Sequence, residues 1–384
     1  MQTNLNKVLF NLVLSILFFK LLEYFVKIQY DQIIGFSNYV KVVILIIFYY
    51  IYRFRFETYL LVVILFFYTF YGDEPALTNI QYMVDYELTI FALIYYGSSE
   101  IHFKLNFLDS EKIKIYIYIF LFVVFYAVTA YINGPELRGD ERIAEPRIYY
   151  NGFIIAHAYA YLIVTMSLLL IRLKNTKLGV ILVLSTAIVG TRTGIVLASF
   201  AMIRDIFRIN KIKHMLLLFI GGFLLTILFF AYFDKYIENI INMFSFFTLD
   251  IFSMDSEKAF MFTSGRNIIW VLALGHYFNE SSFFQYLFGF GTFSSMSFNE
   301  LMINNKIWLH NDFFDILFNM GAFGLFYYIY GIFRFLKKSR MYFIVLFIFF
   351  AGFSNGFFVY DGFVLISFLM YAEYFRISNL RKKI

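Results

Sequence analysis

The chain has 384 residues, of which 61% are hydrophobic and 15% are charged, whereas soluble domains carry about 25% charged residues. A mean hydropathy of +0.72 excludes an ordinary soluble domain and predicts an integral membrane protein. The lack of cysteine excludes disulfides, thiolate catalysis and cysteine-based metal sites. The 55 Phe and 32 Tyr residues are spread through every apolar run, so we assign them to packing and lipid contact rather than to stacking on sugars or bases.

Twelve apolar stretches are candidates to cross about 30 Å of hydrocarbon, so we expect an all-α, polytopic membrane protein with about twelve transmembrane helices. We treat residues 1–384 as a single integral membrane domain. The weakest candidates are 83–99, which carries two acidic residues, and the pair 178–190 and 194–203, which resembles two short helices joined by a tight turn. The twelve stretches are 8–26, 37–52, 57–71, 83–99, 112–133, 152–171, 178–190, 194–203, 214–232, 310–333, 341–354 and 362–375.

The basic residues predict the orientation of these stretches. If both termini are cytoplasmic, most of the 32 Lys and Arg residues fall in short inner segments, as the positive-inside rule requires. The one long connection, 234–309, then lies on the outer side. An unstructured loop of that length is uncommon, so we expect it to hold short helices that lie on the outer membrane surface.

Four basic side chains fall on the predicted outer side, outside the ordinary positive-inside positions. They are Arg147 in AEPRIYYNG, Arg192 in VGTRTG, Arg266 in TSGRNIIW and His310 in WLHNDFF. Arg192 lies in a turn between two short apolar runs, where a charge calls for a partner such as an anion. Snorkelling to lipid headgroups or pairing with an acid would also explain it. Taken singly, Arg147 and Arg266 are more simply explained by surface ion pairs, whereas His310 is equally compatible with a hydrogen-bonded histidine at the membrane boundary.

Polar residues continue from His310 into the tenth predicted span. Asn311, Asp315 and Asn319 recur at i, i+4 and i+8, which places them on one face of a helix. Such a face is expected to point to protein or to a water-filled cavity rather than to lipid. The alternative for Asp312 is helix capping, and for Asn311 and Asp315 it is hydrogen bonding between helices.

Several catalytic signatures are absent from the sequence, which contains no P-loop, HExxH, GxSxG or dinucleotide fingerprint. An enzyme of this sequence would need a substrate that carries its own leaving group, and we predict no metal and no cofactor. Asp73 and Glu74 form an acidic pair that could hold a divalent cation, but a solvated loop turn explains them more simply. Lys20 and Glu23, three residues apart in the first span, are expected to pair with each other.

Four elements in chain order resemble the O-antigen polymerase and O-antigen ligase superfamily, which are bacterial inner-membrane glycosyltransferases acting on polyprenyl-linked sugars. The elements are RIYYNGFIIAHAYAY, VGTRTGIVLASF, SGRNIIWVLALGHYFNESSFFQYLFGFGTF and HNDFFDILFNMGAFGLFYY. They fall within residues 140–333. The earlier part of the chain supports the resemblance only through its number of predicted spans. The first element lacks the Asn-Pro that often follows its arginine in the family.

The resemblance implies a GT-C type fold with its active site at the periplasmic face. It implies that Arg147, Arg192 and Arg266 bind the pyrophosphate of an undecaprenyl-linked glycan and that His310 is the catalytic base. Planar guanidinium groups suit a pyrophosphate, and an imidazole with an ordinary pKa of about 6.5 suits the deprotonation of a sugar hydroxyl. The polar residues expected to support the site are Asn311, Asp312 and Asp315.

The predicted function is surface-polysaccharide (O-antigen) polymerase: inverting transfer of a growing glycan from undecaprenyl pyrophosphate to the non-reducing sugar of a lipid-linked repeat unit. Two alternatives stay open, an O-antigen ligase that transfers the polymer to lipid A core and a flippase for the lipid-linked oligosaccharide. The expected location is the bacterial inner membrane, with both termini cytoplasmic. The expected partners are the undecaprenyl-pyrophosphate-linked oligosaccharide, membrane lipid and a chain-length regulator protein, with no nucleic acid.

Overall fold

The protein is described here from a computed structural model, in which helices account for nearly all of the secondary structure. Within the described residues there are thirteen α-helices and one pair of three-residue strands. The described residues are 2–30, 36–53, 55–72, 75–97, 111–138, 147–149, 151–173, 175–188, 197, 200–201, 204, 266–303, 307–339, 341–354, 356–358 and 361–381. The elements in chain order are α1 (Gln2–Tyr30), α2 (Phe36–Ile51), α3 (Phe56–Phe70), α4 (Ala76–Gly97), α5 (Lys112–Asn133), β1 (Glu136–Arg138), β2 (Arg147–Tyr149), α6 (Ala156–Arg172), α7 (Thr176–Ile188), α8 (Arg266–Glu280), α9 (Phe283–Phe288), α10 (Ser294–Ile303), α11 (Asp312–Ser339), α12 (Tyr342–Ser354) and α13 (Gly362–Arg381).

The expected all-helical architecture is confirmed, with β1 and β2 as the one addition. These strands pair antiparallel, with Leu137 opposite Ile148. Ten of the twelve predicted apolar stretches form helices. Of the other two, 194–203 is described only at residues 197 and 200–201, which are helical, and 214–232 lies outside the described residues.

Three helices of the described chain are long and apolar enough to cross a membrane, which is consistent with a helical membrane protein. They are Lys7–Lys27 within α1, all of α5 and all of α11. The helices α2, α3 and α6 are 16, 15 and 17 residues long, below the about 20 residues that span 30 Å of hydrocarbon. The expected number of about twelve transmembrane helices and the GT-C type fold therefore stay predictions.

Several helices present apolar faces outward, as contact with lipid would require. Phe66 on α3 is 70% exposed, and Ile113 and Phe120 on α5 are 74% and 66% exposed. Contiguous exposed apolar surface is rare on soluble monomers and marks contact with another apolar phase or protein. These faces therefore agree with the membrane assignment drawn from composition.

The long-range contacts group the helix ends into two sets. Lys7 pairs with Glu111 at 2.8 Å, which joins the beginnings of α1 and α5. Tyr24 donates a hydrogen bond to Asn133 at 2.5 Å, which joins their other halves. We call the end of the bundle that carries the Lys7–Glu111 pair the basic end. We call the end that carries the Tyr24–Asn133 hydrogen bond the loop end. The sidedness predicted from the basic residues, in which the loop end is the outer one, stays a prediction.

Helix α4 is the centre of the bundle, although its sequence made it one of the weakest predicted spans. It packs against α2, α3, α11 and α13, and the hydroxyl of Tyr86 donates to the carbonyl of Gly324 at 2.6 Å. Its acidic Glu87 is fully buried and accepts a hydrogen bond from the hydroxyl of Tyr49. Polar groups are tolerated here because α4 is surrounded by protein rather than by lipid.

Candidate functional site

The chain turns into α11 at His310, on the loop end of the bundle. His310 has a φ of 54°, in the left-handed region that residues other than glycine seldom adopt. The next residue, Asn311, caps the helix: its Oδ1 accepts hydrogen bonds from the backbone N–H groups of Phe313 at 3.0 Å and Phe314 at 3.2 Å. Backbone N–H groups in the first turn of a helix have no carbonyl partner within the helix, so the Asn311 side chain supplies one. His310 is therefore held in a defined turn just before the helix.

Asp312 has a role different from the capping that its sequence position allowed. Its carboxylate is buried, and Oδ2 accepts hydrogen bonds from the backbone N–H groups of Phe357 at 2.6 Å and Phe358 at 3.1 Å. Both N–H groups belong to the connection between α12 and α13. Asp312 therefore fixes that connection against the beginning of α11.

Asp315 and Asn319 form a buried polar network one and two turns further along α11. The hydroxyl of Ser295, on α10, donates to Asp315 Oδ1 at 2.6 Å, and the Ser295 backbone N–H donates to Asn319 Oδ1 at 2.8 Å. On the other side, the Tyr82 hydroxyl donates to Asp315 Oδ2 at 3.3 Å, and Asn319 Nδ2 donates to the same oxygen at 3.1 Å. The predicted polar face is thus directed into protein and joins α11 to α4 and α10.

Gly321 interrupts α11 directly after this network. Its φ of 66° and ψ of −169° are not helical, so the carbonyl groups of the preceding turn lose their partners within the helix. The backbone of segment 288–292 crosses the interruption and donates two hydrogen bonds of 3.0 Å to these carbonyl groups. The hydroxyl of Tyr68 donates a third, to the carbonyl of Met320 at 2.7 Å. The interruption is thereby sealed by protein.

The crossing is so close that side chains would not fit. A Cβ atom on Gly321 or on Gly289 would come within 3.0 Å of the opposing backbone, and both glycines have positive φ angles of 66° and 75°. Glycine is the residue that tolerates both conditions. Glycine at 289 is therefore required by the packing of the predicted outer loop onto α11.

Helix α8 brings one of the predicted arginines to the same turn as His310. Arg266 is the first residue of α8, and Trp270 follows one helical turn later. The indole Nε1 of Trp270 donates to the carbonyl of Leu309 at 2.6 Å, and both side chains belong to a small buried apolar cluster with Phe318. Because Leu309 directly precedes His310, Arg266 and His310 lie at the same end of the contact between α8 and α11.

The other two predicted arginines are not placed in this site. Arg147 lies in β2, where its backbone is opposite Arg138 in the strand register, and its side chain lies outside the described residues. Arg192 also lies outside them, as do Asp73 and Glu74. The predicted pyrophosphate site is thus described through Arg266 alone, and the roles of Arg147 and Arg192 stay predictions.

Four charged side chains form a second cluster beside the network. Lys41 Nζ lies 2.6 Å from Asp85 Oδ1 and 2.8 Å from Asp361 Oδ1, and Lys20 pairs with the other oxygen of Asp361. The two cations and two anions balance in charge. The cluster ties α1, α2 and α4 to the residue that precedes α13.

The expected pair between Lys20 and Glu23 is wrong. Lys20 pairs with Asp361 instead, and Glu23 accepts a hydrogen bond from the backbone N–H of Ser37 at 2.5 Å. A carboxylate from a distant part of the chain is the stronger partner because Asp361 is buried between two ammonium groups. Burial would raise the pKa of Asp361, but the charges of Lys20 and Lys41 outweigh it and hold that pKa well below its ordinary value.

A cleft of about 130 Å³ opens between the network and the charged cluster. It is bounded by residues of α2, α4, the 293–308 region and the connection before α13, namely Asn38, Gln81, Tyr82, Asp85, Phe293, Trp308 and Phe358. Asp312 fixes Phe358, and Asp315 fixes Tyr82. The polar residues predicted to support the site therefore hold two walls of this cleft.

Sequence reasoning missed most residues of the cleft. Trp308 stands two residues before His310 in the sequence. Lys41 and Asp85 are charges within apolar stretches, which is a usable signal for a buried functional or paired group. Ser295 and Gln81 carry no such signal. Within the described residues, no group of three or more His, Asp or Glu side chains is arranged to hold a metal ion.

Comparison with protein-family models, with curated proteins and with solved structures gave no match. The functional assignment therefore depends on the residues themselves.

Proposed function

We propose that the chain is a glycosyltransferase of the surface-polysaccharide polymerase type. It would transfer a growing glycan from undecaprenyl pyrophosphate to a hydroxyl on the non-reducing sugar of a lipid-linked repeat unit. The bond between the anomeric carbon and the pyrophosphate oxygen breaks as the bond to the acceptor oxygen forms. Attack from the opposite face inverts the anomeric centre. No nucleotide is required, because the pyrophosphate is already a good leaving group.

His310 would take the proton of the attacking hydroxyl. A sugar hydroxyl is too weakly acidic to ionise beforehand, so a base within hydrogen-bond reach must accept the proton as the new bond forms. Arg266, with Arg147 and Arg192, would bind the pyrophosphate and stabilise the negative charge that develops on it. The proposal places this chemistry on the outer face of a bacterial inner membrane, with both termini cytoplasmic.

One observation carries the proposal: the hydrogen bond of 2.6 Å from Trp270 Nε1 to the carbonyl of Leu309. It holds the first turn of α8, which begins with Arg266, next to the turn that carries His310. A group that stabilises the leaving pyrophosphate and a group that deprotonates the acceptor must both lie close to one anomeric carbon. These two candidates come from segments 44 residues apart, by the difference of their residue numbers.

The proposal is tested with surface polysaccharide from a clean deletion strain, separated on a gel. The strain carries in turn no gene, the wild-type gene, His310→Ala, Arg266→Ala or Arg266→Lys, with protein levels matched by immunoblot. We expect core carrying a single repeat unit without the gene or with His310→Ala, and the full ladder with wild type. A full ladder from His310→Ala would overturn its role as base. Polymer that accumulates on the lipid carrier without reaching the core would indicate the ligase instead.

Arg266→Ala should retain weak activity, because two other arginines are proposed to share the pyrophosphate. A charge-assisted hydrogen bond contributes about 1.5–3 kcal/mol, so losing one slows turnover by roughly tenfold to a hundredfold. Arg266→Lys keeps the charge but loses the planar, bidentate contact. Its rate should fall between those of wild type and Arg266→Ala.

The flippase alternative is favoured by one observation, the interruption of α11 at Gly321, because transporters bind substrates at broken helices. In such sites the unpaired carbonyl groups face a cavity. Here the carbonyl groups before Gly321 accept hydrogen bonds from segment 288–292 and from Tyr68. Radiolabelled lipid-linked repeat unit in proteoliposomes discriminates between the two functions: translocation without longer glycans would indicate the flippase.

A further inference from the structure

The cleft beside α4 exposes polar side chains that the protein itself does not use. Within the described part of the chain, Asn38, Gln81 and Trp308 line the cleft, and none of the three side chains makes a hydrogen bond to protein. The two amides can each donate and accept, and the indole N–H can donate. Three unused hydrogen-bonding groups around one opening are the pattern of a small-molecule site rather than of packed protein.

Aromatic rings form the rest of the wall, and the structure beneath them holds them in place. Tyr82 and Trp308 are stacked at 5.9 Å with an interplanar angle of 26°, and Phe293 lies 5.0 Å from Trp308. The Tyr82 hydroxyl donates a hydrogen bond to Asp315. Phe358 is fixed through its backbone N–H, which donates to Asp312. The cleft thus presents rigid aromatic surfaces with polar groups at its edge.

The charge of the cleft limits what it can bind. Among the described residues that line the cleft, Asp85 is the one charged residue, and Lys41 lies 2.6 Å from its carboxylate. An anionic group would meet the carboxylate, and a hydrocarbon tail would leave the amides without partners. A ligand with apolar C–H faces and several hydroxyl groups satisfies both the rings and the amides. That description fits an uncharged sugar ring.

The size of the cleft agrees with one ring of a larger molecule. Its volume of about 130 Å³ is below the 300–1,000 Å³ typical of sites that enclose a drug-sized ligand. We propose that the cleft binds one sugar ring, and that this ring is the terminal sugar of the acceptor. The sugar binding stands on the cleft alone, whereas its assignment to the acceptor rests on the proposed function.

The assignment to the acceptor follows from the directions of two consecutive side chains. Trp308 packs against Tyr82 and Phe293 on the α4 side, while Leu309 packs with Trp270 on the α8 side. His310 follows directly, so its backbone lies close both to the helix that carries Arg266 and to the cleft wall formed by Trp308. A base in that position is near the donor's pyrophosphate on the α8 side and near the acceptor's hydroxyl on the cleft side. Transfer between two substrates requires this arrangement.

The first test measures binding to the purified full-length protein in detergent. The probe is the repeat-unit oligosaccharide released by mild acid from the lipid-linked material of the deletion strain. Because the chain contains two tryptophans, fluorescence locates the site: we expect a saturable change in wild type and in Trp270→Phe, and none in Trp308→Phe. Calorimetry should show affinity about tenfold weaker for Gln81→Ala and Asn38→Ala, as expected for the loss of one hydrogen bond.

Two controls make the test decisive. Leu301→Ala, at a side chain that is 82% exposed on neighbouring α10, should bind the oligosaccharide as tightly as wild type. Adenosine, a flat aromatic ligand, should not compete. Binding that Gln81→Ala and Asn38→Ala leave unchanged, equal binding of adenosine, or no binding at all would overturn the proposed sugar site. Gln81 is exposed, so its variant is expected to fold.

Kinetics separate this inference from the proposed function. In a polymerisation assay, Gln81→Ala should raise the KM for the acceptor about tenfold, with kcat and the KM for the donor unchanged. Oligosaccharide binding in the cleft of a protein that forms no polymer would overturn the proposed function and leave the sugar site standing. Polymer formation that requires His310 but occurs without oligosaccharide binding in the cleft would overturn the sugar site and support the proposed function.

Discussion

Trp270 holds the residue before His310 through one hydrogen bond, from its indole Nε1 to the carbonyl of Leu309 at 2.6 Å. This bond is the direct link between the helix that begins with Arg266 and the turn that contains His310. Trp270 is therefore a positioning residue whose effect on activity can be measured without touching either candidate group.

Trp270→Phe should keep the ring packed against Phe314 but remove the hydrogen bond. A neutral hydrogen bond is worth about 0.5–1.5 kcal/mol, so we expect the polymerisation rate to fall by roughly twofold to tenfold. The measurement is the initial rate in proteoliposomes, with Phe278→Leu, on the exposed side of α8, as the matched control. Equal rates for Trp270→Phe and wild type would contradict the positioning role.

The buried network around Asp315 should contribute to stability. Asp315→Ala removes the acceptor of the Ser295 and Tyr82 hydroxyl groups, and each buried group left without its partner costs about 1–3 kcal/mol. We expect a clear fall in the thermal unfolding midpoint in detergent. Asp315→Asn keeps the shape of the side chain and one carbonyl oxygen as acceptor. Its unfolding midpoint should therefore lie between those of wild type and Asp315→Ala. An Asp315→Ala midpoint equal to that of wild type would show that the network does not form.

The crossing at Gly321 gives a matched pair of glycine substitutions. Gly321→Ala introduces a Cβ against the backbone of segment 287–289 at a positive φ, and such strain costs about 1–3 kcal/mol before any clash is counted. Gly275→Ala, in the middle of α8 with no atom within 4 Å of the new Cβ, should be neutral or stabilising by about 0.5–1 kcal/mol. Yields of folded protein from size-exclusion chromatography test the pair, and similar yields would contradict the crossing.

The Asp361 carboxylate should contribute stability that does not depend on pH in the physiological range. The pKa of Asp361 is held well below its ordinary value, so its contribution is fully present above the unfolded pKa of about 3.9 and is lost only as the pH falls below it. Asp361→Asn removes the negative charge with which both Lys20 and Lys41 pair. The substitution should lower the unfolding midpoint by the same amount at pH 6 and at pH 8. A difference that shrinks at pH 6 would contradict this account.

Part of the fold could be predicted from the sequence because helices in lipid must satisfy their own backbone groups, which makes apolar stretches a direct signal. The polar face of α11 was also predictable, since Asn311, Asp315 and Asn319 recur at helical spacing. What failed was partner assignment. Lys20 was expected to pair within its own helix, but the tertiary structure supplied Asp361 from a distant segment.

The candidate site was predicted only in outline. The turn at His310 and its nearness to Arg266 depend on Trp270, whose hydrogen bond to Leu309 has no sequence signal. The cleft was missed because its aromatic residues were assigned to packing along with the rest of an aromatic-rich chain. Trp308 differs from those residues because it lines a cleft together with Gln81 and Asn38. Both residues are far from Trp308 in the sequence, so the sequence did not indicate that they share a cleft.

The central claim is tested most directly with purified protein in proteoliposomes supplied with radiolabelled undecaprenyl-pyrophosphate-linked repeat unit. We predict that wild type converts the label into a series of longer lipid-linked glycans and that His310→Ala, folded equally well by size-exclusion chromatography, leaves the single repeat unit unchanged. Longer glycans formed by His310→Ala at the wild-type rate, or none formed by wild type, would contradict the claim.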